Sequence, residues 1–412
     1  MVSRWMAKAR PSGQTRYTGA FAHETDLMTD LYIDTPQALD EFCATLQGCE
    51  WLALDTEFMR EKSYYPQLCL IQVASDKAVA CIDPLAIDDL GVLLDRLYDR
   101  SITKVLHAAR QDLEILFALR GELPQPLFDT QVAATLLGHG DQISYAALVK
   151  EVLGVELDKS HTRTDWAARP LDEAQVRYAA DDVRYLRQVY LRQLEELRER
   201  GRVEWLAEDF AALADPTLYM VHPDEAWQRV KGANRLKGVQ LAVLRAVAAW
   251  REQEAQRSDR PRRWVLRDEV LVDLAKQMPS DSTRLGRIRG LENGVVRRHG
   301  DELLRLIEAA RKAPKATWPS AEERRVRLTP EQEALADALM AIVRLRGQAG
   351  AVSPASLTNR RELEGIIAGE RNSALLHGWR AAIAGHDVLA FLEGRKTLVT
   401  ENGRLVLEDE PT

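Results

Sequence analysis

Asp55 and Glu57, in the stretch Leu54-Asp55-Thr56-Glu57-Phe58, are two carboxylates placed two residues apart at the end of an apolar run. Strand side chains alternate between faces, so residues two apart share one. Two acidic groups that close repel each other unless a cation lies between them, and hard oxygen donors suit magnesium or manganese. The same pair also fits two groups facing solvent at a strand end. Further on, Lys104-Val105-Leu106-His107 ends a predicted strand and Asp112 falls just inside the following helix. A helix dipole favours a carboxylate there whatever else it does. Tyr178 and Asp182 lie four apart on a helix predicted over 172–200, a spacing that puts both on one face. An ordinary surface pair would have that spacing too. Asp181 is turned about 100° away, so Asp182 is the expected ligand. Asp172 as N-cap, Gln175 three residues later and Leu171 placed to staple against Val176 signal the helix start, while Ala179 and Ala180 permit a close approach to a neighbouring surface.

These residues need elements to carry them. From 28 to 212 short apolar runs alternate with amphipathic helices, the pattern of an α/β domain. Strands are predicted over 51–58, 67–75, 78–83 and 102–108, the first two joined by a turn containing Pro66, with helices near 89–99 and 111–120. A mixed, partly antiparallel sheet flanked by helices follows. After Asp215 helical spacing replaces strand alternation to about 395. One cluster comprises 240–256, 267–277, 294–298 and 301–310, punctuated by Pro261, Pro279, Gly290 and Gly300; a Pro-, Lys- and Arg-rich stretch, 312–327, reads as a linker. A second cluster over 328–346, 362–368 and 372–393 reads as a diverged repeat of the first. The expected division is a flexible extension at 1–27, with Met28 an alternative start; a catalytic domain at 28–212; a linker and first helical domain at 213–315; and a linker and second helical domain at 316–412.

Across 412 residues, 56 Lys plus Arg against 63 Asp plus Glu give a net charge of −7, which disfavours a protein that coats nucleic acid. The distribution is uneven. Residues 229–315 hold 21 basic and 11 acidic residues, +10, so the remainder carries −17. A basic helical segment that grips phosphate, beside an acidic one that holds cations, would produce this segregation, as would a solvated arginine-rich face. Cys43, Cys49, Cys69 and Cys81 form no Cys-x-x-Cys pair and read as free thiols in a reducing compartment. No apolar run is long enough to span a bilayer and no secretory signal is read, so a cytoplasmic location and no membrane partner are expected.

Asp55, Glu57, Asp112, Tyr178 and Asp182, in that order, resemble the signature of the DEDD exonuclease superfamily in its tyrosine-bearing branch. Tyr64-Tyr65-Pro66-Gln67-Leu68, Ile71-Gln72, Ile82-Asp83-Pro84-Leu85, Phe128-Asp129-Thr130-Gln131 and Arg163-Thr164-Asp165-Trp166 extend the resemblance to the ribonuclease D family over 29–212. The clusters at 235–315 and, more distantly, 328–395 resemble HRDC domains, small helical nucleic-acid-binding modules.

The resemblance implies a ribonuclease H-like exonuclease domain followed by two all-α HRDC-like domains. It implies two divalent metal ions, Mg2+ or Mn2+, with Asp55 bridging or anchoring them, Glu57 and Asp182 on the one that activates water, and Asp112 completing the other's surroundings largely through water. Tyr178 would orient that water; its unperturbed pKa of about 10 is too high for a base at neutrality. Tyr64, Gln67, Leu68 and His107 are expected to contact the terminal nucleotide, although Leu68 equally suits core packing and His107 a structural role. Asp129 is expected to cap the helix starting at Thr130. Arg163, Asp165 and Trp166 shape the site or hold their own loop. The implied activity is release of nucleoside 5′-monophosphates from RNA 3′ ends, transfer-RNA precursors in particular. Separately from the resemblance, a monomer is expected. A DNA 3′–5′ exonuclease would use the same carboxylates. An inactive RNA-binding scaffold is disfavoured by the intact carboxylate set.

Overall fold

The computed structural model describes residues 30–158, 164–319 and 328–410; the extension at 1–27, Met28, Arg163 and the linker residues 320–327 lie outside them. The chain forms two compact units. One takes in the described residues up to Glu57, then Leu68–Leu218 and the chain from Pro330 onward; the other takes in Phe58–Gln67 and the described part of Tyr219–Thr329. The second helical cluster folds with the α/β portion, and a short piece between two strands folds with the first cluster.

The first unit is built on six strands, β1 (Asp30–Ile33), β2 (Trp51–Met59), β3 (Gln67–Ala74), β4 (Val79–Ile82), β5 (Thr103–Leu106) and β6 (Leu127–Asp129), in the order β1-β4-β3-β2-β5-β6. β1 and β4 run parallel, β3 and β4 antiparallel, and β2, β5 and β6 parallel, so the sheet is mixed as expected. Leu52, Ala53 and Leu54 are all buried, so this central strand reads as an apolar run rather than an alternation. The edge strands β1 and β6, of four and three residues, are too short to leave a period in sequence.

Around the sheet lie α1 (Pro36–Thr45), α2 (Gly91–Leu97), α3 (Arg110–Arg120), α4 (Thr130–Leu137), α5 (Tyr145–Leu153), the long α6 (Glu173–Glu199) and the short α7 (Ala207–Leu213). Asp172 and Gln175 form the expected capping box at the start of α6. Ala179, Ala180 and Val183 have no exposed surface, and α6 packs on β4 and β5. Small side chains at those positions let the helix backbone come close to the sheet. Asp129 caps α4 by accepting the amides of Gln131 and Val132, and its carboxylate also accepts those of Ala108 and Ala109 at 3.1 and 2.8 Å. One side chain thus fixes the strand-to-helix turn before α3 and the start of α4.

In the second unit, α8 (Val239–Arg257), α9 (Arg262–Val265), α10 (Asp268–Gln277), α11 (Ser282–Leu285) and α12 (Asn293–Lys312) enclose Leu241, Leu244, Leu271, Leu274, Leu285 and Leu303. α12 is one helix where two were predicted. Gly300, read as a break, is buried with van der Waals room toward Leu285 and Val296 only, and burial of Leu303 and Ile307 outweighs the roughly 1 kcal/mol propensity cost of a helical glycine.

The second cluster contains α13 (Pro330–Ala349), α14 (Pro354–Leu357) and α15 (Arg360–Ile367), then a 3-10 turn at Ala374–Leu376 and a helical stretch made of α16 (Gly378–Arg380), a π turn (Ala381–Gly385) and α17 (His386–Leu392). The uninterrupted helix predicted over 372–393 therefore begins six residues late, because the Ser373 hydroxyl caps the 3-10 turn instead. A hairpin absent from the sequence reading closes the chain: β7 (Lys396–Glu401) and β8 (Arg404–Asp409) meet at Asn402 and Gly403, with φ of +48° and +75°. An Asn-Gly pair supplies this two-residue turn at little steric cost. The cluster is tied to the α/β portion by Arg202, which donates to the carbonyls of Leu136, Gly350 and Ala351, and by the stacked rings of Trp205 and Trp379, 4.7 Å apart. Arg380, itself buried, pairs with Glu208 and Asp209.

Candidate active site

β2 carries Asp55 and Glu57 on one face, and α6 delivers Asp182 to them: each of the three offers a carboxylate oxygen, and these oxygens lie within 4.8 Å of one another. Asp112 stands in the first turn of α3, buried, where its carboxylate accepts a 2.5 Å hydrogen bond from the Thr56 hydroxyl. Thr56 lies between the two strand carboxylates; in sequence it counts toward the family resemblance, but nothing there assigns its hydroxyl to Asp112.

The electrostatics are those of an uncompensated anionic pocket. Burial, then the charges of Asp112, Asp182 and Glu57, hold the Asp55 carboxyl well above its ordinary range. Burial and the neighbouring carboxylates push Glu57 up to about 8; burial and Asp181 push Asp182 up to about 7. Asp112 rises to about 6, burial outweighing the Thr56 hydrogen bond. Among the described residues no cationic side chain sits within the group, so like-charge repulsion among the four carboxylates is uncompensated there. The clustered hard oxygen donors fit divalent cations of the magnesium class. Asp181, by contrast, pairs with Arg184 and stays out of the group.

Tyr178 shares the face of Asp182, and its ring lies 6.2 Å from that of buried Trp166. The loop bearing Trp166 is fastened by Arg169, whose guanidinium grips the Asp83 carboxylate at 2.6 and 2.8 Å and donates to the carbonyls of Cys69, Trp166 and Ala168. Asp165 turns back onto the Ala167 amide. Of the two roles left open for this loop, Asp165 and Trp166 visibly serve its own structure, and Trp166 also flanks Tyr178.

A second tyrosine went unnoticed in the sequence. Tyr145, at the start of α5, donates its hydroxyl to the Asp182 backbone carbonyl and lies 3.3 Å from that of Asp181, which holds α6 at the turn bearing Asp182. Its ring packs 5.5 Å from that of His107. His107 is held through both nitrogens, by Thr130 Oγ1 at 3.0 Å and the Ile143 carbonyl at 3.1 Å, and burial lowers its pKa. Neither nitrogen is left over for a substrate in this arrangement. Leu68 is half-buried and Gln67 exposed at the start of β3.

Tyr64 is placed differently from the expectation of a base-contacting ring. It belongs to the second unit and is buried, with its hydroxyl donating to Glu252 and the Arg262 guanidinium 4.7 Å over its ring. The Asp259 carboxylate accepts the amides of Tyr64 and Tyr65 at 2.9 and 3.1 Å. Stacking on a nucleotide would require this cluster to open.

Residues 31–198 match the family model described as 3′-5′ exonuclease, and residues 240–307 match the HRDC domain. The chain is 42% identical over 90% of its length to ribonuclease D of Sphingobium indicum, covering 97% of that protein. The chain belongs to the ribonuclease D family. Ribonuclease D of Zymomonas mobilis is 40% identical over 90% of this chain and 95% of its own. The crystal structure of Escherichia coli RNase D, described as an exoribonuclease involved in structured RNA processing, superposes with a TM-score of 0.77 at 34% identity over 89% of this chain and 99% of that one. As a member of that family, the protein is a 3′–5′ exoribonuclease that uses divalent metal ions and acts on RNA. No helix among the described residues is long and apolar enough to cross a membrane.

Proposed function

We propose that this ribonuclease D removes nucleoside 5′-monophosphates one at a time from RNA 3′ ends, with transfer-RNA precursors as substrates, using Asp55, Glu57, Asp112, Asp182 and Tyr178. The observation that carries this reading is the convergence of Asp55, Glu57 and Asp182 from a strand and a separate helix onto one half-buried anionic pocket. Two divalent cations, Mg2+ or Mn2+, would supply neutralisation of phosphate charge and a more acidic water. Asp55, nearest in charge to the other three carboxylates, is the residue suited to hold both. Glu57 and Asp182 hold one position, and Asp112, steered by Thr56, completes the other. Tyr178 orients the attacking water by hydrogen bond, while Gln67 and Leu68 meet the terminal nucleotide.

The first helical module, residues 213–315 with their linker, grips the RNA backbone through its excess of arginine and lysine. The second, 316–412, reads as a diverged HRDC-like domain. Its elements support this: α9, α10 and α11 begin 23, 29 and 43 residues after the start of α8, and α14, α15 and the 3-10 turn begin 24, 30 and 44 residues after the start of α13. We place the enzyme in the cytoplasm as a monomer.

The test is degradation of a single-stranded RNA, labelled at its 5′ end, alongside a matched DNA. With magnesium the parental enzyme shortens the RNA stepwise and releases 5′-monophosphates; with chelator it does not. Asp182→Ala keeps RNA binding and loses turnover by orders of magnitude. A parental rate in that variant removes Asp182 from the machinery, and equal rates on DNA remove the restriction to RNA.

A further inference from the structure

Trp264 is 54% exposed, the most exposed of the large apolar side chains in the described structure. It lies on α9, a single helical turn whose two sides differ. Arg262 turns inward, its guanidinium on the buried Glu252 carboxylate and over the Tyr64 ring, and Leu266 just beyond is buried in the module's core. With those two anchors fixed, Arg263 and Trp264 are left facing water. Between 260 and 267 the chain holds four arginines and no acidic residue. Arg260, Arg263 and Arg267 are exposed, and none of the three forms an ion pair among the described residues. Asp268, whose carboxylate feels the Arg263 charge without forming an ion pair with it, is held by Arg251 at 2.6 Å.

An exposed indole costs apolar surface in water, and three unpaired guanidiniums on one short segment repel each other. Both features are relieved together by a ligand with a flat π face attached to a phosphate chain. We propose that Trp264 is a stacking platform for one unpaired base of single-stranded RNA, with Arg260, Arg263 and Arg267 on the flanking phosphates. Because Arg262 and Leu266 clamp α9 from within, the indole is presented on a rigid turn and loses little freedom on binding. The subsite rests on the reading that the first helical module binds RNA, and it specifies where and in what form.

The full-length enzyme, held in chelator so that RNA stays intact, is titrated with a fluorescent oligoadenylate, an abasic ribose-phosphate oligomer of equal length, and an RNA duplex. Base–aromatic stacking of about 1–3 kcal/mol corresponds to a loss of roughly five- to hundredfold in affinity. Trp264→Ala is expected to show that loss on oligoadenylate alone, with the abasic oligomer unaffected and Trp264→Phe largely restored. The triple variant R260Q/R263Q/R267Q is expected to weaken all three ligands and to flatten the logarithmic dependence of affinity on salt by about 0.7 for each phosphate no longer neutralised. If the triple variant flattens the salt dependence but Trp264→Ala binds oligoadenylate like the parent, the stacking platform is overturned and the module's RNA binding stands. If neither changes anything, both readings fall. If Trp264→Ala weakens the abasic oligomer equally, the indole acts on the module's structure and the platform is again overturned.

Discussion

The Thr56 hydroxyl donates to the Asp112 carboxylate across 2.5 Å, linking the residue between the two strand carboxylates to the one in the first turn of α3. This contact orients Asp112 and favours its charged form. Thr56→Val keeps the side-chain shape and removes the donor, leaving a buried carboxylate one partner short. Outer partners of metal-binding groups are worth about 10–100-fold in metal affinity or activity. We expect kcat/KM to drop within that range, partly recovered by raising the magnesium concentration, with Thr56→Ser near parental. Parental activity in Thr56→Val, measured across a magnesium titration, would show that the contact is incidental.

The raised carboxyl pKa values predict how metal and pH act on stability. Glu57 ordinarily titrates near 4.5 and is pushed up to about 8 in the fold; Asp182 and Asp112 shift from 3.8 to about 7 and about 6. A raised pKa means the fold binds protons more tightly than the unfolded chain, so its contribution is present below about 4 and is lost progressively as pH rises to about 8. The chelated protein should therefore melt at lower temperature at pH 8 than at pH 6. Divalent cations must displace those protons, so magnesium should bind more tightly, and raise Tm more, at pH 8 than at pH 6. A magnesium effect independent of pH in this window would mean the carboxyls are already ionised without it.

Tyr64 separates an anchoring role from a base-contacting one. Its hydroxyl donates to buried Glu252, which also holds Arg262. Tyr64→Phe should cost about 1 kcal/mol of stability, and Tyr64→Ala about 3 kcal/mol or more, from removal of the ring. Amide hydrogen exchange in Tyr65, whose N–H the Asp259 carboxylate accepts, should speed up in Asp259→Ala. A Tyr64→Ala variant of parental stability that loses only RNA affinity would restore the base-contacting role.

Lys104 is fully buried in β5, and its amine donates to the carbonyls of Asp99, Ile102 and Gln125 at 2.8, 2.5 and 2.6 Å. Burial pushes the amine down to about 7, while three carbonyl acceptors match the three donors of the charged form. Lys104→Met fills the space but strands those carbonyls, at about 1–3 kcal/mol for each one left dry. We expect a loss of at least about 2 kcal/mol in chemical unfolding followed at the α/β portion. A neutral or stabilising effect would mean that water or a backbone shift satisfies the carbonyls.

The central strands, the long α6 with its capping box and the paired spacings of Asp55 with Glu57 and Tyr178 with Asp182 were legible in sequence, because each depends on residues within one turn or one pleat. β1, β6 and the closing hairpin were not read. The first two are too short to show a period, and the hairpin's Asn402-Gly403 turn was overlooked. Gly300 misled because local propensity lost to the burial of Leu303 and Ile307. The roles of Tyr145 and Thr56 were not legible, since what matters about them is the atom their hydroxyls reach, 37 and 56 residues away.

By itself the sequence determined that Asp55 shares a face with Glu57 and Tyr178 with Asp182, since strand and helix periods fix this; only the family resemblance joined these pairs to each other and to Asp112. Tertiary structure alone decided that Asp55, Glu57 and Asp182 do meet and that residues 58–67 fold with the helical module. Those outcomes depend on how elements distant in sequence pack against each other. No local period encodes that packing, and only burial and the pairing of buried polar groups select it.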